Sequence, residues 1–393
     1  MSVYKFLQPY TLKNGVTLKN RVVMAPMTTK SSFYNGALTE DEIEYYRLRS
    51  GGVGMLITAA TACSENGKGF EGGPMLHNDA LISGFRKLAN AIKIDGTKAI
   101  LQIFHAGRKS LTSILRGVQP VSASAVAAVY PPNSEEPREL TNDEIETIIQ
   151  EFAQITRRSI EAGFDGVEIH GANTYLIQQF FSPHSNHRTD KWGGNRDARM
   201  TFVFELLKAV KAVIAEYADD NFILGYRISP EELENPGIRL EDSLYFVNNI
   251  KSQIDYLHLS IGSYNRTSLN DRSNTQTLLA QFKAVVGDSI PVITVGTVKT
   301  PADADAALCE GADLVALGRA LINEPKWVQK VQSGDESSIR LKLSPNDMDD
   351  LKIPAGMQEY LMTTYATAID FSTNTQQDDF EKGMAPMEGY KTK

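Results

Sequence analysis

Short apolar, β-branched runs recur along the chain, and longer stretches with helical spacing of apolar positions separate them. Eight runs stand out, at 22–25, 55–58, 99–104, 166–169, 222–228, 256–259, 292–295 and 314–317. This alternation is the pattern of βα units on a parallel sheet. Two helix starts are readable between the runs: Thr39 with Glu42, and Thr141 with Glu144, each have the spacing of a capping box. The segment EIETIIQEFAQITRRSIEAG then stops on Gly163. Eight parallel strands with intervening helices close most economically into an α/β fold, the (β/α)8 TIM barrel. Residues 105–140 carry Pro120, Pro131, Pro132 and Pro137 and read as an elaborated loop after strand 3. The rhythm breaks after residue 335. The expected organisation is one catalytic barrel over 1–335 and a C-terminal extension over 336–393, in which Met357, Tyr360 and Tyr365 form an apolar stripe.

In such a barrel, chemistry belongs at the C-terminal ends of the strands. Strand 1 runs into Pro26, Met27 and Thr28; strand 2 into Ala59 and Ala60; strand 3 carries Gln102, then His105 and Arg108. Strand 4 delivers His170, Asn173 and Tyr175, strand 5 Arg227, strand 6 His258 and Ser260, strand 7 Gly296, and strand 8 Gly318 and Arg319. Small residues in TVGTV and ALGRAL, with Arg319, suit a phosphate held after strands 7 and 8. Taken alone, those glycines equally suit tight turns. His170 and Asn173 can each donate a hydrogen bond to one oxygen on which charge develops. Tyr175 suits proton donation to a developing carbanion. A core histidine satisfied by its neighbours is the bland alternative for His170.

Composition narrows the partners. A net charge of −8 argues against a nucleic-acid surface. No apolar stretch is long enough for a membrane span, and MSVYKFLQPYTLKNG offers no signal peptide, so a cytoplasmic protein is expected. Cys63 and Cys309 are too far apart for a CxxC metal site and are expected to be buried and unpaired. His184 and His187 lack a third ligand, so no metal is expected.

The chain resembles the Old Yellow Enzyme family of FMN-containing ene reductases. LKNRVVMAPMT, LQIFHAGR, DGVEIHGANTYLIQQFFSPHSNHRTDKWGGN, GYRISP and LVALGRALINEP carry the resemblance across residues 4–335. It implies FMN held by Pro26, Met27, Thr28, Ala60, Gln102 and Arg227, with Gly296, Gly318 and Arg319 on the phosphate. It also implies His170 and Asn173 on the carbonyl oxygen of an electrophilic alkene, Tyr175 as proton donor, and NAD(P)H as reductant in a ping-pong cycle through one pocket. No G-x-G-x-x-G follows a strand to bind the coenzyme separately. Thr174 stands where the family commonly has glycine, and Lys30 where one branch has a pocket-lining tyrosine.

Three alternatives remain at this stage. A flavin-binding protein without turnover would need only the cofactor residues. A retaining glycosidase would use Glu168 and Glu231. A Schiff-base aldolase would need Lys299 in the barrel mouth. A homo-oligomer is left open, because the extension can pack on its own barrel or reach a second copy.

Overall fold

A computed structural model describes residues 4–132 and 134–372. Eight strands form the barrel: β1 (Val22–Met24), β2 (Met55–Ile57), β3 (Lys98–Phe104), β4 (Gly166–Gly171), β5 (Ile223–Ile228), β6 (Tyr256–Leu259), β7 (Val292–Val295) and β8 (Leu314–Leu317). Every neighbouring pair is parallel, and β8 closes on β1 through Val315 opposite Val22. The apolar runs of the sequence are these strands, with one adjustment that matters: β4 continues through Gly171, so His170 belongs to the strand itself.

The helices are α1 (Glu40–Arg49), α2 (Ile82–Ile92), α3 (Asn142–Ala162), α4 (Leu176–Phe181), α5 (Arg196–Tyr217), α6 (Leu240–Ile250), α7 (Leu278–Val286), α8 (Pro301–Cys309), α9 (Arg319–Asn323), α10 (Trp327–Ser333) and α11 (Ala355–Met362). The Thr141–Glu144 capping box is reciprocal, and α3 ends on Gly163 in the left-handed conformation. The Thr39–Glu42 pair is only half a box. Thr39 caps the N–H of Glu42, but the Glu42 carboxylate turns inward to accept from Thr29 Oγ1 and Ser32 Oγ, both at 2.6 Å. That side chain therefore ties α1 to the loop after β1.

Two packing regions hold the barrel. One fills the space between strands and helices; the other fills the barrel itself with Val23, Met55, Ile57, Ile100, Ile223, Ile293 and Leu314. Leu12, Val16 and Leu18, from a hairpin of Tyr10–Thr11 with Thr17–Leu18, join this second cluster and plug the N-terminal end. In the loop after β3, buried Arg108 donates to the carbonyls of Val126 and Ala127, so the loop is organised around a structural arginine. Leu343, Met348, Leu351, Ile353, Met357 and Leu361 of the extension are buried in the main core. Residues 373–393 of that extension lie outside the described residues. Cys63 is buried as expected; Cys309 is exposed, because it falls on the outer end of α8.

Candidate active site

Side chains alternate in and out of the barrel, and register stacks the inward ones in layers. Ile100, Gly166 and Ile223 face one another near the bottom; Gln102, Glu168, Gly225 and Tyr256 form the next layer; His170, Arg227 and His258 form the top one. Polarity thus rises toward the C-terminal end. Gly225 is there for space, since a Cβ on it would lie 2.0 Å from the Tyr256 ring.

The middle layer organises the one above. Gln102 Nε2 donates to Glu168 Oε1 at 2.6 Å, and His258 Nδ1 lies 2.9 Å from Glu168 Oε2. Burial works to raise the Glu168 pKa, but His258, Arg227 and Gln102 outweigh it and hold the carboxyl below its ordinary value. An ionised carboxylate only accepts, so it fixes Nδ1–H on His258 and turns the Gln102 amide nitrogen toward itself. Gln102 Oε1 receives no hydrogen bond from the described residues and is free to accept from a ligand N–H. Burial, with Arg227 adding and Glu168 opposing, pushes the His258 pKa down.

At the end of β4, His170 is buried and its Nδ1 accepts from the N–H of Ala172 at 3.3 Å. Burial foremost, then the charges of Arg227 and His258, keeps its pKa well below the usual histidine value. The ring is therefore neutral and carries its proton on Nε2, as a donor. The backbone next enters the left-handed region at Asn173 (φ 57°) and Thr174 (φ 61°). Asn173 N–H donates to Ser229 Oγ at 2.9 Å, and its Oδ1 accepts from Ser260 Oγ at 2.8 Å. With its carbonyl occupied, the amide presents Nδ2–H.

Tyr175 packs edge-on against Phe104 and His170, with centroids 5.0 and 5.1 Å away, and against Phe70 at 6.4 Å. Burial, then Tyr365, raises its pKa above the phenol value against the opposing charge of Arg227, so the hydroxyl keeps its proton. Thr174 occupies a conformation that glycine adopts without penalty and a β-branched residue does not. Its neighbours hold it there. Gln178 Oε1 accepts the Thr174 N–H at 2.9 Å, Gln179 Nε2 donates to its carbonyl at 2.7 Å, and buried Glu232 anchors Gln178 at 2.7 Å.

The remaining expected residues gather around the same end. Ala60, Phe70 and Tyr175 pack against a small buried cluster of Ala62, Met75, Phe104 and Ala106. Pro26, Met27 and Thr28 follow β1, and Met27 Sδ would lie 3.5 Å from a Cβ on Gly318. Gly296, at φ 106°, crosses so close to Gly262 that a Cβ would meet its carbonyl carbon at 2.4 Å. Arg319 is exposed and donates to Ala368 O at 2.8 Å, while Lys299 pairs with Asp370; these four line one small cavity with Arg340. This donor set fits a flavin mononucleotide. An acceptor on Gln102 and a buried cation at Arg227 suit the pyrimidine end of the ring, small and apolar residues its flank, and open glycine backbone with cations its phosphate.

The rival chemistries fit less well. Glu168 is fully buried and spent on Gln102 and His258. Glu231 anchors a loop by accepting from Ser268 Oγ, the N–H of Leu269 and Asn270 Nδ2. Neither carboxylate is placed for glycoside hydrolysis. Among the described residues no three metal-ligating side chains come together, and no helix is long and apolar enough to cross a membrane.

The family model described as "NADH:flavin oxidoreductase / NADH oxidase family" matches residues 5–338. The chain belongs to the Old Yellow Enzyme family. Members of this family are FMN oxidoreductases reduced by NAD(P)H. The chain is 38% identical, over 91% of its length and 95% of the relative's, to the probable NADH-dependent flavin oxidoreductase YqiG of Bacillus subtilis (strain 168). It is 44% identical, over 89% of its length, to the NADH:fumarate oxidoreductase of Klebsiella pneumoniae (strain 342), but spans only 38% of that longer protein. The solved old yellow enzyme homologue from Zymomonas mobilis superposes with a TM-score of 0.74 at 25% identity, covering 91% of this chain and 99% of that one.

Several residues at this end of the barrel were visible in the sequence without a role. Ser260 and His258 marked the end of strand 6, and the structure sets them on Asn173 and Glu168. Phe70, Gln178 and Gln179 carried no signal, since nothing local in the sequence ties them to Tyr175.

Proposed function

We propose that this chain is an FMN-dependent oxidoreductase that takes hydride from NAD(P)H and reduces the activated C=C bond of α,β-unsaturated carbonyl compounds. The observation that carries this reading is the pairing of His170 Nε2–H with Asn173 Nδ2–H beside a protonated Tyr175. FMN, when bound, supplies two-electron chemistry, receiving hydride from the coenzyme and passing it to the acceptor. The protein's part is polarisation and protonation. His170 and Asn173 bind the carbonyl oxygen and stabilise the negative charge that grows there. Their neutral, oriented donors need no reorganisation as charge develops. Tyr175 then gives its proton to the α-carbon. Coenzyme and acceptor use this one pocket in turn, a ping-pong order that parallel initial-rate plots would support and intersecting plots would exclude.

The length of the Klebsiella relative favours a second reading, in which this unit oxidises NADH and passes the electrons to another domain or protein. Stopped-flow mixing of NADH-reduced protein with cyclohexenone separates the two. Reoxidation by the enone within turnover time supports alkene reduction; reoxidation only by artificial one-electron acceptors supports electron delivery.

A further inference from the structure

Lys30 is a half-buried cation that forms no ion pair with the described residues. Its Nζ stands 4.5 Å from the centroid of the Tyr360 ring. Burial lowers its pKa, against the charge of Glu359. Its backbone is clamped from three sides. Thr29 and Ser32, flanking it, both donate to Glu42 at 2.6 Å. A Cβ on Gly72 or Gly356 would lie 2.4 or 2.1 Å from the Lys30 carbonyl oxygen, so the loop after β2 and helix α11 press directly on it. Lys30 itself is held at φ 50°. A long, flexible side chain thus leaves a fixed and strained base.

The direction it leaves in matters. The Tyr360 and Tyr365 rings lie 4.9 Å apart with a 42° tilt, Tyr365 adds to the raised pKa of both Tyr360 and Tyr175, and Phe70, in the same loop as Gly72, packs edge-on against Tyr175 at 6.4 Å, so these groups share one mouth. The ammonium therefore stands on the same side as the proton donor. We propose that Lys30 and Tyr360 form a subsite for the carboxylate of the acceptor, which makes the acceptor class an enone or enal that also bears a carboxylate. This inference rests on the alkene-reductase reading and adds the charge of its substrate. A carboxylate fits better than a phosphate, because one ammonium meets one negative charge and the subsite shows no guanidinium fork. The aromatic face holds the ammonium in place until the anion arrives.

The test compares 4-oxopentanoate, a saturated keto acid, with its methyl ester by calorimetry on FMN-loaded wild type, K30M and K30R. The wild type should bind the acid about tenfold more tightly than the ester, K30M should lose that preference, and K30R should keep most of it. Equal acid-to-ester ratios in wild type and K30M would overturn the proposal. So would a loss confined to NADPH binding, which would make Lys30 a coenzyme-phosphate contact. Cyclohexenone turnover by the wild type tests the parent reading separately. Loss of acid preference without turnover would keep the subsite and sink alkene reduction; unchanged preference with turnover would sink the subsite alone.

Discussion

The two ends of the barrel are built on opposite rules. The N-terminal end is filled by Met55, Ile100, Ile223, Ile293 and Leu314 and plugged by Leu12, Val16 and Leu18. The C-terminal end holds a buried carboxylate, two imidazoles and an arginine, and places Lys30, Asn173, Thr174 and Thr297 in the left-handed region. One end spends its interior on packing, which stabilises; the other spends it on charge and strained turns, which cost stability and position donors. Substitutions should therefore separate cleanly into those that move stability and those that move rate.

The largest effect expected is on rate at the C-terminal end. Tyr175→Phe should slow enone-dependent reoxidation by about 10²–10⁴-fold while leaving reduction by NADH and the melting temperature nearly unchanged. Asn173→Ala should cost about 10²–10³-fold in the same step. If either variant lost stability instead of rate, the contrast between the two ends would fail. At the other end, Met55→Ala should lower unfolding free energy by roughly 2–5 kcal/mol in urea titrations, with the rate per folded molecule preserved.

Smaller effects sharpen the comparison. Glu42, buried under the loop after β1, has its pKa raised from 4.5 to about 7 by burial, against the hydrogen bonds from Ser32 and Thr29. The folded protein then binds more protons than the unfolded chain between those values, so this group makes stability fall as pH rises from 4.5 to about 7. Urea midpoints of wild type and Glu42→Gln at pH 5 and 8 should show that share of the slope disappearing in the variant. Thr174→Gly should gain roughly 1 kcal/mol by releasing the left-handed strain. The pH profile of enone reduction should be flat between 6.5 and 10, because His170 titrates below that window and Tyr175 above it.

How much of this the sequence carried follows from what it encodes locally. Strand runs and their polar ends are local, so β1 to β8 and the His170, Asn173, Tyr175 triplet were legible. The half-formed box at Thr39 was not, because spacing fixes the cap and cannot say that Glu42 would prefer the hydroxyls of Thr29 and Ser32. Arg319 was legible as a cation after β8 but not as the partner of Ala368, a contact across 49 positions. The same holds for Glu168: strand 4 suggested a structural partner for this carboxylate more than a catalytic role, but not which one, and Gln102 and His258, on two other strands, take its two oxygens. Glycine at 174 would have been the easy residue; the sequence shows threonine, and only the glutamine pair at 178 and 179 explains how the turn survives.

The measurement that tests the central claim most directly is the visible spectrum of the purified protein through one reaction cycle without oxygen. Flavin absorption that bleaches with NADH or NADPH and returns on adding cyclohexenone, but returns far more slowly in Tyr175→Phe, is the result expected. A protein that cannot be loaded with FMN, or one whose bleached form the enone leaves unchanged, would contradict it.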